Sequence, residues 1–300
     1  MEYSDISILV PSLSRPLILL KKLKYYLKLK ATFNICICDS SPKVDEQFKK
    51  EMNKISEQLN IKYFHKPGFN DREAIFFLIK NCQTKYSAFI ADDDFFIPQG
   101  LYECASYLKK NKDCRVAYGK AINVDHKSLN KVNNRIYASN YWGKRSFLQN
   151  NKIDRLNDFS ENYIPNFFGM HRTNEFLQDY DGSQNSPSKS LGELIINYVT
   201  LAKGKAEFIP IAYLIRQSHP SRYLVPQGIE DRLIDDKLGE SIPVFISTLS
   251  KALISEDISI KEAENISKKH LKKILNDLIK YSDDKYLFQK INSFFQKAYK

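Results

Sequence analysis

Glycine is scarce in this chain, with ten in 300 residues. Neither G-x-G-x-x-G nor G-x-x-x-x-G-K-[S/T] occurs anywhere. Those loops bring a backbone close to a pyrophosphate, so their absence argues against a dinucleotide oxidoreductase and against a P-loop NTPase. No apolar run approaches the ~20 residues that a membrane span requires, and mean hydropathy is −0.43. The opening MEYSDISILV carries two acids and no basic stretch, which predicts no signal peptide. There is no internal repeat and no low-complexity linker. Integral membrane protein, secreted mini-domain and fibrous repeat are thereby excluded. Cysteine is sparse as well: five, at 36, 38, 82, 104 and 114, with no C-x-x-C spacing. The expectation is reduced, buried thiols in a cytoplasmic protein. Cys36 and Cys38 lie two apart in the apolar run Phe33–Cys38 and would share one face of a strand.

What the chain does carry is positive charge, 46 Lys and Arg against 35 Asp and Glu, for a net +11. Three partner classes follow: nucleic acid, an anionic membrane surface, or phosphorylated small molecules. A 43% hydrophobic and 13% aromatic composition is that of a folded chain. The length suits one large domain, or a catalytic domain with an appendage, and buries about three-quarters of the unfolded surface.

Strand and helix signals alternate over the first 120 residues. Strands are expected at Ile6–Val10 (stopped by Pro11), Phe33–Cys38, Ile61–Phe64, Tyr86–Ala91 and Val116–Val124. Helices are expected after Pro16 over Leu17–Leu29, at Val44–Leu59, at Arg72–Cys82, and from Pro98 to about Lys110. Strands separated by helical segments of this length predict an α/β fold, a mostly parallel sheet covered on both faces. Residues 125–165 are polar, Asn-rich and aromatic without a clear period. A strand at Asn166–Arg172, a helix at Pro187–Ala202 and one bent strand or a strand pair over Glu207–Gln217 follow. From Ile229 onward the pattern is helical to the end. The expected division is residues 1–228 as a catalytic domain, with halves 1–125 and 126–228, and residues 229–300 as a helical extension.

Ligands of α/β sheets bind at the carboxyl ends of the strands. Three segments stand there: Pro11-Ser12-Leu13-Ser14-Arg15-Pro16, Asp39, and Asp92-Asp93-Asp94. Three adjacent carboxylates after a buried strand repel one another and resist desolvation. A divalent cation removes that penalty, because Mg²⁺ and Mn²⁺ take carboxylate oxygens and keep positions for phosphate. The plain alternative is a solvated acidic turn before the helix at Pro98. The apolar flanks Phe89-Ile90-Ala91 and Phe95-Phe96-Ile97 favour the ligand reading.

These pieces, in this order, resemble the GT-A-fold glycosyltransferases, close to the family-2-like bacterial sugar transferases. The opening strand with Pro11-Ser12 and Arg15-Pro16, Asp39 after the second strand, Pro67-Gly68-Phe69-Asn70-Asp71-Arg72-Glu73-Ala74, and the DxD-like Ala91-Asp92-Asp93-Asp94 carry the likeness. It covers residues 5–125 well and 160–220 loosely. The resemblance implies a GT-A (Rossmann-like) sheet, a nucleotide-diphosphate sugar as donor, Mn²⁺ or Mg²⁺ as cofactor, and a glycan or lipid-linked glycan acceptor in surface polysaccharide synthesis such as capsule or lipopolysaccharide. It implies that Pro11, Ser12 and Arg15 line the donor site. It places Asp39 on the nucleobase, Arg72 near the base or diphosphate and Asp92 near the ribose, with Asp93 and Asp94 on the metal. His219 would be a further metal ligand, and Arg216 and Arg222 would lie on the diphosphate. Glu193, in Leu191-Gly192-Glu193-Leu194, stands where inverting members carry a carboxylate base, with Asp179 and Asp181 as rivals. The chain departs from the family pattern at Ser14, where the opening turn carries Asn, and at Gly192, where the first acid of an E-D pair would stand.

Tyr137, Tyr141, Trp142 and Phe147 with Lys144 and Arg145 are a candidate acceptor region, since aromatic faces stack on sugars; a satellite core is the alternative. Two other functions compete. A sugar-nucleotidyltransferase would need a glycine-rich signature after the first strand, which Pro11 to Pro16 lacks. A nucleic-acid binder is suggested by the net charge alone, with no recognition motif. Residues 229–300 would pack on the catalytic domain, form a homo-oligomer, or lie on an anionic membrane surface.

Overall fold

The computed structural model describes residues 1–125, 137–218 and 237–280. Strands β1 (Ile6–Ser12), β2 (Asn34–Asp39), β3 (Ile61–His65) and β4 (Tyr86–Phe89) alternate with helices α1 (Pro16–Lys28), α2 (Glu46–Ser56) and α3 (Asp71–Asn81). The short β5 (Phe95–Phe96), α4 (Pro98–Lys110) and the long β6 (Cys114–Asp125) follow. Each helix begins where local chemistry permits. Pro16 and Pro98 sit in the first turns of α1 and α4, where no backbone donor is lost. Asp45 caps α2, and Asn70 forms a capping box with Glu73 on α3.

The sheet order is β3-β2-β1-β4-β8-β6-β9-β5, with β7 (Tyr137–Asn140) paired to β6 off this path. Here β8 is Met170–Arg172 and β9 is Lys205–Ser218. Strands β1 to β4 are mutually parallel, β6 and β9 are parallel, and β5, β7 and β8 run antiparallel to their partners. The mostly parallel α/β sheet expected from the pattern is therefore present, with antiparallel insertions.

Alternation along the central strands sorts two cores. Ile6, Ile8, Val10, Ile35 and Ile37 join α1, α2 and α4 on one face. Leu9, Cys36 and Cys38 join α3 and α6 (Thr173–Tyr180) on the other. Cys36 and Cys38 share a face as the two-residue period requires.

Several boundaries differ from the sequence pattern. Strand β1 continues past Pro11 to Ser12, because Pro11 pairs with Cys38 while the β4 register ends at Leu9 and Phe89. The missing donor of Pro11 then falls where no ladder bond is required. Residues 137–165, without a visible period, hold β7 and α5 (Lys152–Glu161), the latter capped by Asn151. The segment 166–172 is a 3₁₀ turn followed by the three-residue β8. The stretch Glu207–Gln217 lies in one strand, β9.

Helix α7 (Lys189–Lys203) is capped by Ser188. The later part holds α8 (Leu238–Leu253) and α9 (Ile260–Lys280). Leu238, Ile242, Phe245, Leu249, Leu271 and Leu275 join the same core as the strands. No helix among the described residues is long and apolar enough to cross a membrane.

Candidate functional site

The carboxyl ends of β1, β2 and β4 open on one edge of the sheet. A cleft of about 920 Å³ lies there. Its lining includes Pro11, Ser12, Arg15, Arg72, Asp92, Asp93, Asp94, Glu193 and Arg216. Segments more than 100 residues apart in the chain thus meet in one cavity. Asp39 is not part of the lining, although its neighbour Ser40 is. Its Oδ1 accepts from the backbone N–H and hydroxyl of Ser41, and its Oδ2 accepts from Tyr63 at 2.6 Å. His219 and Arg222 lie outside the described residues.

The acidic loop is held from every side. Asp92 accepts from Arg15 Nη1 at 2.6 Å and from Ser12 Oγ at 2.8 Å. Asp93 accepts from Arg15 Nη2 at 2.9 Å. Asp94 Oδ1 accepts from the backbone N–H of Gln217 at 2.9 Å, and the Gln217 side chain donates to the Asp93 carbonyl. Register explains the last pair: β5 runs antiparallel to β9 with Phe95 opposite Ile215, so the residue before Phe95 faces the residues after Ile215. Below the loop, Lys22 Nζ donates to the carbonyls of Ala91, at 2.8 Å, and Asp94.

Burial dominates the electrostatics. All three aspartates are buried. Burial raises the Asp92 carboxyl, against the opposing pull of Arg15. Burial and then the charge of Asp93 push Asp94 up to about 6. Burial also pushes the Lys22 ammonium down to about 8, while the aspartates pull it the other way.

Ser14 has φ 53°, in the left-handed region where Asn is the more tolerant non-glycine residue. Its N–H donates to Ser41 Oγ at 2.8 Å, which ties the β1–α1 turn to the turn after β2.

The opposite wall comes from α7 and residues 137–168. Glu193 is the fifth residue of α7 and not in its first turn. Tyr163 Oη donates to Glu193 Oε1 at 3.0 Å. The fully buried Asn197 donates to Tyr163 Oη at 3.2 Å and to the Glu193 carbonyl at 2.8 Å. The rivals stand elsewhere. Asp179 is buried in ion pairs with Arg115 and Lys203, and Asp181 accepts from Gln184; neither lines the cleft.

Arg72 spans the two walls. Its Nη2 donates to the Pro187 carbonyl at 3.3 Å, whereas its Nε and Nη1 are buried without a hydrogen bond among the described residues. A Cβ on Gly192 would stand 3.1 Å from Arg72 Cδ, so the glycine at this position leaves room for the arginine.

Of the aromatic segment, Tyr141 and Trp142 line the cleft. The Arg216 guanidinium lies 4.2 Å over the Tyr141 ring, and Trp142 donates to the Gly119 carbonyl at 2.9 Å. Phe147 is fully buried core and Arg145 pairs with Asp158, so those two serve packing. The side chain of Tyr137 lies outside the described residues.

Lys22, Tyr163, Asn197 and Gln217 are not singled out by motif. Only Lys22 leaves a trace in the sequence, as a lysine on the apolar face formed by Leu19, Leu23 and Tyr26.

No known protein-family profile and no curated protein matches the sequence. In three dimensions the chain is similar to solved structures of S. aureus TarS. TarS residues 1–349 superpose with a TM-score of 0.57 at 15% identity, over 92% of this chain and 72% of that one. The complex of that fragment with UDP gives 0.56 at 16% identity, over 92% and 72%. The complex with UDP-GlcNAc gives 0.56 at 14% identity, over 90% and 72%. At this identity the likeness is one of fold, and it is the GT-A-like α/β fold implied by the motifs.

Proposed function

We propose that the chain is a glycosyltransferase that moves a sugar from a uridine-diphosphate donor to a hydroxyl of a glycan or lipid-linked glycan in cell-surface polymer synthesis. One observation carries the reading: a single cleft holds the Asp92–Asp94 loop with Arg15 and Arg216 on one wall and the Glu193 carboxylate on the other. The fold is that of a protein solved with UDP and with UDP-GlcNAc, and TarS is a glycosyltransferase.

In this reading Arg15, Arg72 and Arg216 meet the donor phosphates, and Ser12 and Asp92 lie beside the ribose. The side chains of Tyr141 and Trp142 offer faces to a sugar ring. Glu193 takes the proton of the acceptor hydroxyl as that oxygen attacks the anomeric carbon, and the anomeric centre inverts. The bond from that carbon to the diphosphate oxygen breaks, and the departing charge is met by the arginines. Tyr163 holds the Glu193 carboxylate in orientation.

The acidic loop offers a divalent ion two carboxylates, Asp93 and Asp94. The Asp94 carboxyl is raised by burial and by Asp93, a charge conflict that a cation would relieve. No group of three or more ligating side chains converges among the described residues. With only these two carboxylates, Asp93 and Asp94 would hold Mg²⁺ or Mn²⁺ only together with donor phosphates and water, as Mg²⁺ is held at many phosphate sites. When bound, the ion would supply further charge to the leaving diphosphate. The exposed lysines of α1, Lys21, Lys24 and Lys28, give an anionic lipid surface a place to dock.

The test is incubation with UDP-GlcNAc and Mn²⁺, with the released nucleotide identified. UDP is expected, with release reduced in Asp93→Asn. Pyrophosphate as product would move the chain to the nucleotidyltransferases. Unchanged turnover in Asp93→Asn would remove the acidic loop from the mechanism.

A further inference from the structure

A lysine with no exposed surface is unusual, because an ammonium without water loses its solvation. Lys22 is 0% exposed. It lies on the α1 face whose other buried members, Leu19, Leu20, Leu23 and Tyr26, are apolar or aromatic. An apolar side chain would suit that face by packing alone. What the ammonium meets explains it. Its donors go to the carbonyls of Ala91 and Asp94, the residues that bracket the carboxylates of Asp92 and Asp93. The Ala91 carbonyl also accepts the Asp94 N–H at 3.2 Å, so the ammonium closes a turn that the backbone already forms. The Phe95 ring, 5.4 Å from the ammonium, covers it.

Arg15 precedes α1 and Lys22 stands at its middle, and they act from opposite sides. Arg15 reaches the carboxylates from the cleft, with 13% of its side chain exposed. A donor phosphate entering the cleft can draw this guanidinium from the aspartates. Lys22 binds backbone oxygens from the core side, where no ligand reaches. It stays in place when Arg15 is engaged.

We propose that Lys22 is a positioning residue of the cleft: from beneath, its ammonium ties together the two ends of the Asp92–Asp94 loop and so sets the direction of the carboxylates that meet the donor. The proposal rests on the donor-binding reading above, and its test separates the two.

The experiment compares the full chain with Lys22→Met, which keeps the length and suits an apolar face, and Lys22→Gln, which keeps a neutral donor. Calorimetric titration with UDP in Mn²⁺ is run well below the melting temperature. Hydrogen exchange is measured at the Asp92–Phe95 amides. The expected result is a cooperatively folded Lys22→Met that binds UDP roughly tenfold more weakly, the scale of lost outer partners at such sites. Its loop amides exchange faster, and Lys22→Gln falls between it and the wild type. A merely structural lysine would lower the melting temperature without moving UDP affinity. A folded Lys22→Met with wild-type affinity and wild-type exchange overturns the proposal. Failure of both variants to fold also overturns it, since the lysine is then a folding residue. If the wild type itself binds no UDP, the donor reading fails instead, and loop exchange alone decides the clamp.

Discussion

Tyr163 donates its phenol hydrogen to Glu193 Oε1 at 3.0 Å, and the buried Asn197 holds that phenol at 3.2 Å. The carboxylate that faces the cleft is thus fixed by a residue 30 positions away, itself fixed by α7. Asn197 is further anchored through its Oδ1, which accepts from the Phe167 N–H at 2.8 Å.

This arrangement makes Tyr163→Phe a selective probe. If Glu193 is the base, Glu193→Gln lowers kcat by about 100- to 10,000-fold, the range for loss of a general base. Tyr163→Phe lowers kcat by a smaller factor. Neither variant is expected to weaken UDP binding, because the proposed reading places both side chains on the acceptor side of the cleft. Steady-state transfer alongside UDP titration checks the split. A Tyr163→Phe enzyme with wild-type kcat would show that the hydrogen bond is idle.

Asp179 gives the opposite pattern. It is fully buried between Arg115, bound at 2.9 Å, and Lys203, at 3.0 Å. Removing one member of a buried ion pair leaves an uncompensated charge and costs about 3–5 kcal/mol. Asp179→Ala is therefore expected to lower the free energy of unfolding, measured in urea, by a margin of that size. The UDP affinity of the folded protein should stay at the wild-type value. A loss of affinity at unchanged stability would place Asp179 back among the candidates for chemistry.

Acid should unfold this protein through its buried histidines. His270, on α9, accepts or donates at Ser160 Oγ through Nδ1 at 2.8 Å, and its Nε2 has no partner among the described residues. Burial, with Lys269 and Lys273 beside it, pushes it down to about 4. His171, fully buried and stacked 4.2 Å from Phe176, is also pushed down to about 4 by burial. An unfolded histidine titrates near 6.5. Between about 4 and 6.5 the unfolded chain binds more protons, so stability is intact above that window and is lost as pH falls through it. The melting temperature of His270→Gln should fall less steeply from pH 6.5 to pH 4 than that of the wild type. Parallel curves would assign the acid sensitivity elsewhere.

The local elements are legible because their causes are local. Pro16 and Pro98 mark helix starts with a fixed φ and no lost donor, and Asn70 with Glu73 closes a capping box within four residues. The period-two alternation of Ile35, Cys36, Ile37 and Cys38 declares a strand covered on both faces. The acidic loop is legible for a similar reason: three adjacent carboxylates between apolar flanks are a local conflict that needs a partner. Residues 137–165 are opaque because α5 and β7 are short, and their apolar residues pack against distant strands instead of repeating along one face.

By itself, the sequence determined the α/β plan, the edge of the sheet where the cleft opens, and the Asp92–Asp94 loop on that edge. Spacing and hydrophobic alternation need no knowledge of the remainder of the chain. Only the tertiary structure decided which groups answer those carboxylates. Gln217 meets Asp94 across 123 residues because β5 and β9 share one register, and Lys22 reaches the loop across 72 because α1 packs beneath it. Asp179 is set apart from Glu193 by its ion pairs in the interior. Pairing at such separations depends on strand order and helix docking, which no local pattern carries.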